Sequence, residues 1–135
     1  MEIRRATPED ERAFFAHNDP CIRDLFAGIE DGKVIAMAGV IRDPRYHGSM
    51  FEEMGRWIGF LQLADDVPPL GARAVHAMRA YLKRQTEDII VQCSDVHPKA
   101  ERLLTLLGFV PTEEFMPVFR HPERKLRIWQ WQSLR

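Results

Sequence analysis

The sequence predicts an α+β fold: a mixed, mostly antiparallel central sheet of about seven strands flanked by about four helices, in one domain over residues 1–135. Three observations point there. The stretch Asp88–Phe109 reads as strand, polar turn and amphipathic helix closed by glycine. Asp31-Gly32, between two apolar runs, is a strong two-residue hairpin signal. Strand and helix patterns then alternate along the chain with only short polar connections, apart from one long loop.

In order, Ile3–Ala6 is a short strand, and Thr7-Pro8-Glu9-Asp10 starts a helix with a hydroxyl cap, a proline in the first turn and carboxylates at the positive end of the dipole. Phe14 and Phe15 pack this helix down before His17-Asn18-Asp19-Pro20 breaks it. A second short helix, or an irregular segment, is expected over Cys21–Leu25. Strands over Phe26–Glu30 and Lys33–Arg42 flank Asp31-Gly32; the second is apolar on both faces, so it is central and covered. Asp43–Gly55 is a long polar loop holding Tyr46, His47, Glu52 and Glu53. A strand over Arg56–Ala64 contains Gly59 as a bulge or close-approach point. After a loop, a helix over Ala72–Lys83 buries Val75, Met78, Leu82 and Tyr81. Ile89, Ile90 and Val91 form a buried strand that stops at Ser94-Asp95. His97 stands as N-cap before Pro98, and Ala100, Leu103, Leu104 and Leu107 line one face of a helix ended by Gly108. A last hairpin pairs Glu113–Phe119 with Leu126–Trp131 across His121–Arg124.

Ala100, Leu103, Leu107, Gly108 and Phe109 match the A-x-x-L-x-x-x-L-G-F pattern that closes the fourth helix of the GCN5-related N-acetyltransferase (GNAT) superfamily, and the opening I-R-x-A-T-P-E-D at Ile3–Asp10 is similar to the family's own start. With the order of elements, the chain resembles that family over nearly its whole length. The resemblance implies that strands four and five splay apart, that acetyl-CoA wedges between them as cosubstrate, and that its pyrophosphate rests on N–H groups at the start of the helix over 72–83. The cofactor contacts so implied come from Gln62 and Leu63 on strand four, from Leu70, Gly71, Ala72, Arg73 and Ala74, and from His97, which stands where the family prefers asparagine.

Two departures stand against full agreement. The family's loop, Gln/Arg-x-x-Gly-x-Gly/Ala, fits in neither register: with Gly71 as the first glycine, Pro68 replaces the cation and Arg73 the last small residue; with Ala72 as the last small residue, Val67 and Leu70 replace cation and glycine. Pro68 and Pro69 also lack N–H groups, and losing two charged hydrogen bonds at roughly 1.5–3 kcal/mol each would weaken pyrophosphate binding about a hundredfold to ten-thousandfold. The family's tyrosine acid on the fourth helix corresponds to Leu104, which cannot donate a proton. Ser94 and Asp95 are the local substitutes for catalysis, although Asp95 and His97 equally suit a capping role. Glu52 or Glu53 can serve as base, or simply be solvated loop charges.

The function expected is transfer of an acetyl group from acetyl-CoA directly to a primary amine, carried by a small molecule or a peptide. The alternative is a degenerate member of the fold kept as a binding or structural protein, resembling short phage-type relatives, some of them virion components. A homodimer is compatible with either, and a virion partner belongs to the alternative. A net charge of -1 with interspersed signs leaves no footprint for nucleic acid or anionic lipid, and no apolar run approaches the ~20 residues of a membrane span. The opening MEIRRATPED lacks the apolar core of a signal peptide, so the expected location is the cytoplasm, or the virion under the alternative. Cys21 and Cys93 are too few for a zinc site and suit a reducing compartment as free thiols; the histidines show no paired ligand spacing, so no metal is expected. Trp57, Trp129 and Trp131 read as sheet packing.

Overall fold

A computed structural model describes residues 1–64, 71–118 and 121–133. Among them the chain forms seven strands and three α-helices, and the strand pairs inside each of its two compact units are antiparallel. The chain divides into two compact units, Met1–Pro69 and Leu70–Arg135.

In the first unit, β1 (Glu2–Arg5), β2 (Ile22–Glu30), β3 (Lys33–Arg42) and β4 (Trp57–Leu63) pair in chain order. The hairpin between β2 and β3 turns on Asp31 and Gly32, both at positive φ (51° and 74°), with Glu30 opposite Lys33. That is the primed geometry that the right-handed strand twist favours. Register fixes what each face carries: Leu25 lies opposite Gly39 and Gly39 opposite Phe60, while Ala27 lies opposite Met37. Leu25, Ala27, Ile29 and Met37 form the core of this face, and Phe14, Phe15 and Phe60 pack onto it. Phe14 and Phe15 come from α1 (Pro8–Phe15), and Phe15 meets the Phe60 ring edge-on at 6.2 Å. Thr7 and Asp10 close a reciprocal capping box at the start of α1.

Three expectations change here. Cys21–Leu25 is neither helical nor irregular, because β2 begins at Ile22, and a bulge between Ile22 and Asp24 lets the strand bend while Leu25 still faces the core. The helix count falls to three for that reason. Gly59 is no bulge, since β3 and β4 pair without a register shift. A close approach does occur at Gly39, opposite Phe60, where an added Cβ would collide with the Asp24 carbonyl oxygen. The loop over 43–55 is also more ordered than its polarity suggested, with single 3-10 turns at Pro44–Tyr46 and Glu52–Met54.

The second unit contains α2 (Ala72–Lys83), β5 (Ile89–Gln92), α3 (Ala100–Leu107), β6 (Val110–Val118) and β7 (His121–Trp131), with β7 paired to both β5 and β6. Ile89, Ile90 and Val91 are buried, as a continuous apolar run requires. Leu107 is buried and Leu103 and Leu104 are half-buried on α3. Gly108 sits at φ 97°, its N–H reaching the Thr105 carbonyl and the Phe109 N–H that of Leu104. These two bonds are the Schellman closure, with Phe109 buried behind it. The start of α3 moves, because its N-cap is Lys99 rather than His97, after a turn through Pro98 and Lys99. The second strand of the last hairpin begins earlier than the sequence suggested, and Phe119, the expected end of the first, lies outside the described residues. His121–Arg124 belongs to β7, and Val118 lies directly opposite His121. Pro111 and Pro117 both fall on β6, whose only described partner is β7, and a strand with one free side tolerates a missing N–H.

Candidate functional site

The N-terminus of α2 is the first component. Gly71 caps it with extended backbone (φ -80°, ψ 172°) and no side-chain hydrogen bond, and no carboxylate stands in the first turn. The contrast with α1 is informative, since that helix has Thr7 as cap and Glu9, Asp10 and Glu11 in its first turn. Backbone N–H groups of Ala74 and Val75 turn back to the Gly71 carbonyl, so the donors ahead of them, on Ala72 and Arg73, have no intrahelical acceptor. Gly71, Ala72 and Arg73 are exposed, whereas Ala74 is buried and anchors the turn. An added Cβ at Gly71 would meet nothing within 4 Å. Such an end, with free donors and the positive pole of the dipole, suits an anion. Leu70, Pro68 and Pro69, expected to shape the same loop, lie outside the described residues.

The second component is the turn between β5 and α3. Ser94 Oγ accepts the N–H groups of Val96 (3.3 Å) and His97 (3.2 Å). Asp95 pairs with the guanidinium of Arg124 on β7, which holds its carboxyl below the usual carboxylate range. His97 accepts the Lys99 N–H at Nδ1 (3.3 Å) and its carbonyl accepts from Ala100, so it organises the turn from two residues ahead of the cap. Nothing in the sequence singles out Arg124, because a hairpin turn is expected there and β7 in fact begins at His121. Leu104 is half-buried and its carbonyl closes the helix end. Cys93, next to Ser94, is buried, and burial together with Glu101 pushes its thiol up.

In the first unit, Gln62 is exposed on β4 opposite Met37, and Leu63 is half-buried opposite Ala36. Glu52 and Glu53 are exposed beside Met50, Phe51 and Met54, which are themselves 82%, 53% and 62% exposed. The loop that carries them is pinned at both ends. Asp43 is buried and receives the Arg45 guanidinium at 2.6 Å and the Arg45 N–H at 3.1 Å. Arg42 donates to the Gly55 carbonyl at 2.6 Å, and Arg42 and Arg23 both lie over the Trp57 ring, at 4.4 and 4.2 Å. Among the described residues no group of three or more His, Cys, Asp or Glu is placed to hold a metal, and no helix is long and apolar enough to cross a membrane.

No protein-family model matches the sequence, and no curated protein sequence matches it. Solved structures do. The chain is similar to a ribosomal-protein-alanine N-acetyltransferase from Brucella melitensis, with a TM-score of 0.67 at 15% identity over 98% of this chain and 99% of that one. It is similar to an N-acetyltransferase from Staphylococcus aureus, with a TM-score of 0.67 at 11% identity over 97% of each chain. A GNAT superfamily phosphinothricin acetyltransferase from Sinorhizobium meliloti, solved in complex with acetyl-CoA, gives a TM-score of 0.62 at 15% identity over 98% of this chain and 88% of that one. At these identities the likeness establishes the fold. The chain has the GNAT fold.

Proposed function

We propose that this chain, acting as one domain, is an acetyl-CoA-dependent N-acetyltransferase that acetylates a primary amine by direct transfer. The observation that carries the reading is the open, uncapped and carboxylate-free N-terminus of α2, in a chain with the fold of enzymes that include an acetyl-CoA complex. The free N–H groups of Ala72 and Arg73 would receive the pyrophosphate, with the Arg73 guanidinium and the Gly71 backbone beside it. Gln62 and Leu63 on β4, Ala74 and Leu70 around the loop, and His97 complete the cofactor contacts in this reading. Acetyl-CoA supplies a thioester whose carbonyl carbon is attacked by the neutral amine as the C–S bond breaks.

The chain's own part is proton handling and charge. Ser94 is the proton donor to the leaving sulfur in this reading, because two backbone N–H groups already donate to its Oγ and leave the hydroxyl hydrogen to point elsewhere. Asp95 stays ionised beside Arg124, which makes it a weak base but a steady attraction for a cationic acceptor. Loss of the ammonium proton then falls to water or to an exposed carboxylate such as Glu52 or Glu53. Direct transfer is favoured over an acyl-cysteine intermediate because burial raises both thiols, Cys21 with help from Asp19 and Cys93 with help from Glu101, away from the reactive thiolate. The acceptor is a small-molecule or peptide amine, and the cytoplasm is the compartment consistent with two free thiols.

A second reading, a non-catalytic binding or virion protein on the same fold, is favoured by one observation: Leu104 offers no proton where the family has its acid. Calorimetric titration with acetyl-CoA separates the two. Binding that Arg73→Ala weakens about tenfold, the value of one charged contact, supports the enzyme. No heat at millimolar acetyl-CoA in a folded sample rejects it.

A further inference from the structure

The balanced net charge of the chain conceals a separation. Residues 1–69 carry eight Lys or Arg against thirteen Asp or Glu, a net of -5, while residues 70–135 carry eleven against seven, a net of +4. Much of that excess is concentrated on α2. Its twelve residues, Ala72–Lys83, include no carboxylate, and Arg73, His76, Arg79 and Lys83 recur at spacings of three and four, with Arg84 at the C-cap. That spacing puts them in one stripe, and all five are exposed. The opposite side carries Ala74, Met78 and Leu82, which are buried or half-buried. None of these five side chains has an ion pair among the described residues, and the nearby Asp88 carboxylate is already taken by the Ser133 N–H at 3.0 Å. At 1.5 Å per residue the stripe from Arg73 to Lys83 is about 15 Å long.

We propose that this face of α2 binds duplex nucleic acid through its phosphate backbone. The stripe itself argues for that ligand over an acidic protein. A protein interface draws its energy from apolar and aromatic anchors, and none of the exposed large hydrophobic residues lies on α2. A phosphate backbone asks only for a line of cations and released counterions. The lack of an exposed aromatic residue on the stripe likewise disfavours single strands, which need stacking platforms. Binding is therefore sequence-independent and strongly salt-dependent. The assignment is independent of acetyl transfer, and only Arg73 belongs to both.

The test is fluorescence anisotropy with labelled 20-base-pair RNA and DNA duplexes of one sequence at 50 mM salt. The expected result is micromolar binding of one or both, with log K falling against log salt at a slope of about -3, near 0.9 per phosphate neutralised. In the R79Q/K83Q/R84Q variant, binding falls at least about tenfold and the slope flattens, while acetyl-CoA titration and the thermal melt are unchanged. Arg79→Glu alone gives the same direction if the triple variant melts early. No duplex binding by the wild type, equal binding by the variants, or displacement of the duplex by poly-glutamate as effectively as by unlabelled duplex would each overturn the proposal, the last in favour of an acidic protein.

Discussion

Asp43 shows how one buried carboxylate holds a loop. Burial pushes its carboxyl up, but hydrogen bonds from the Arg45 guanidinium and N–H, with the Arg45 and Arg56 charges, outweigh it and hold the group below the usual carboxylate range. Removing a charged acceptor that receives several bonds costs about 2 kcal/mol, so Asp43→Asn should lower unfolding free energy by about that much at pH 7. Because the folded-state value is depressed, this contribution is present above the unfolded value near 4 and disappears as pH falls through the folded value. Urea unfolding from pH 7 to 3 should therefore show wild type and variant converging in acid; a constant gap would sink the assignment. Asp95 invites a different measurement. Its carboxyl is lowered first by the hydrogen bond from Arg124, then by that residue's charge, so Arg124→Gln should raise it toward the ordinary value in an NMR titration. No movement would mean the pair does not persist in solution. Neither partner was legible in sequence, because Arg45 acts two residues from Asp43 through backbone geometry and Arg124 reaches Asp95 only once the β6–β7 register is known.

Helices end here in two ways, and the difference can be measured. Gly108 closes α3 at φ 97°, where an L side chain is strained, and its added Cβ would meet only the Trp131 ring at ordinary distance, 3.6 Å. Gly108→Ala should therefore cost about 1 kcal/mol through backbone conformation alone. Ala16 closes α1 at φ 68° without that freedom. Ala16→Gly should stabilise by about 0.5–1 kcal/mol, and chemical denaturation that moved the two variants in the same direction would contradict the account. Leu107→Ala, on the buried face of α3, should cost about 2–5 kcal/mol. The amphipathic helices, the Asp31-Gly32 turn and the buried β5 run were legible because each is specified by local spacing or by a positive φ. The misread segments were those decided elsewhere. Cys21–Leu25 lacks a strand pattern of its own and becomes strand by pairing with β3, and His121–Arg124 is polar enough for a turn yet is held opposite β6.

For the molecule as a whole, the fold was anticipated from the order of elements taken together with the resemblance carried by Ile3–Asp10 and Ala100–Phe109. The site was less legible for a physical reason. Anion binding at a helix start uses backbone N–H groups, which any residue but proline supplies, so the open cap at Gly71 carries no side-chain signature. The catalytic role proposed for Ser94 has no stronger signature, because Ser94 differs from any turn serine only by what it hydrogen-bonds. A ligand that binds only the folded chain must raise its stability whatever the identity of the contacts. At a hundredfold excess over its dissociation constant, acetyl-CoA should add about 2.7 kcal/mol, on the order of 10 °C in melting temperature for a chain of this size. Thermal melts across an acetyl-CoA series should rise with the logarithm of concentration, and the curve for Arg73→Ala should be displaced to about tenfold higher ligand. A melt independent of acetyl-CoA up to millimolar levels would leave the fold standing and remove the cofactor from it.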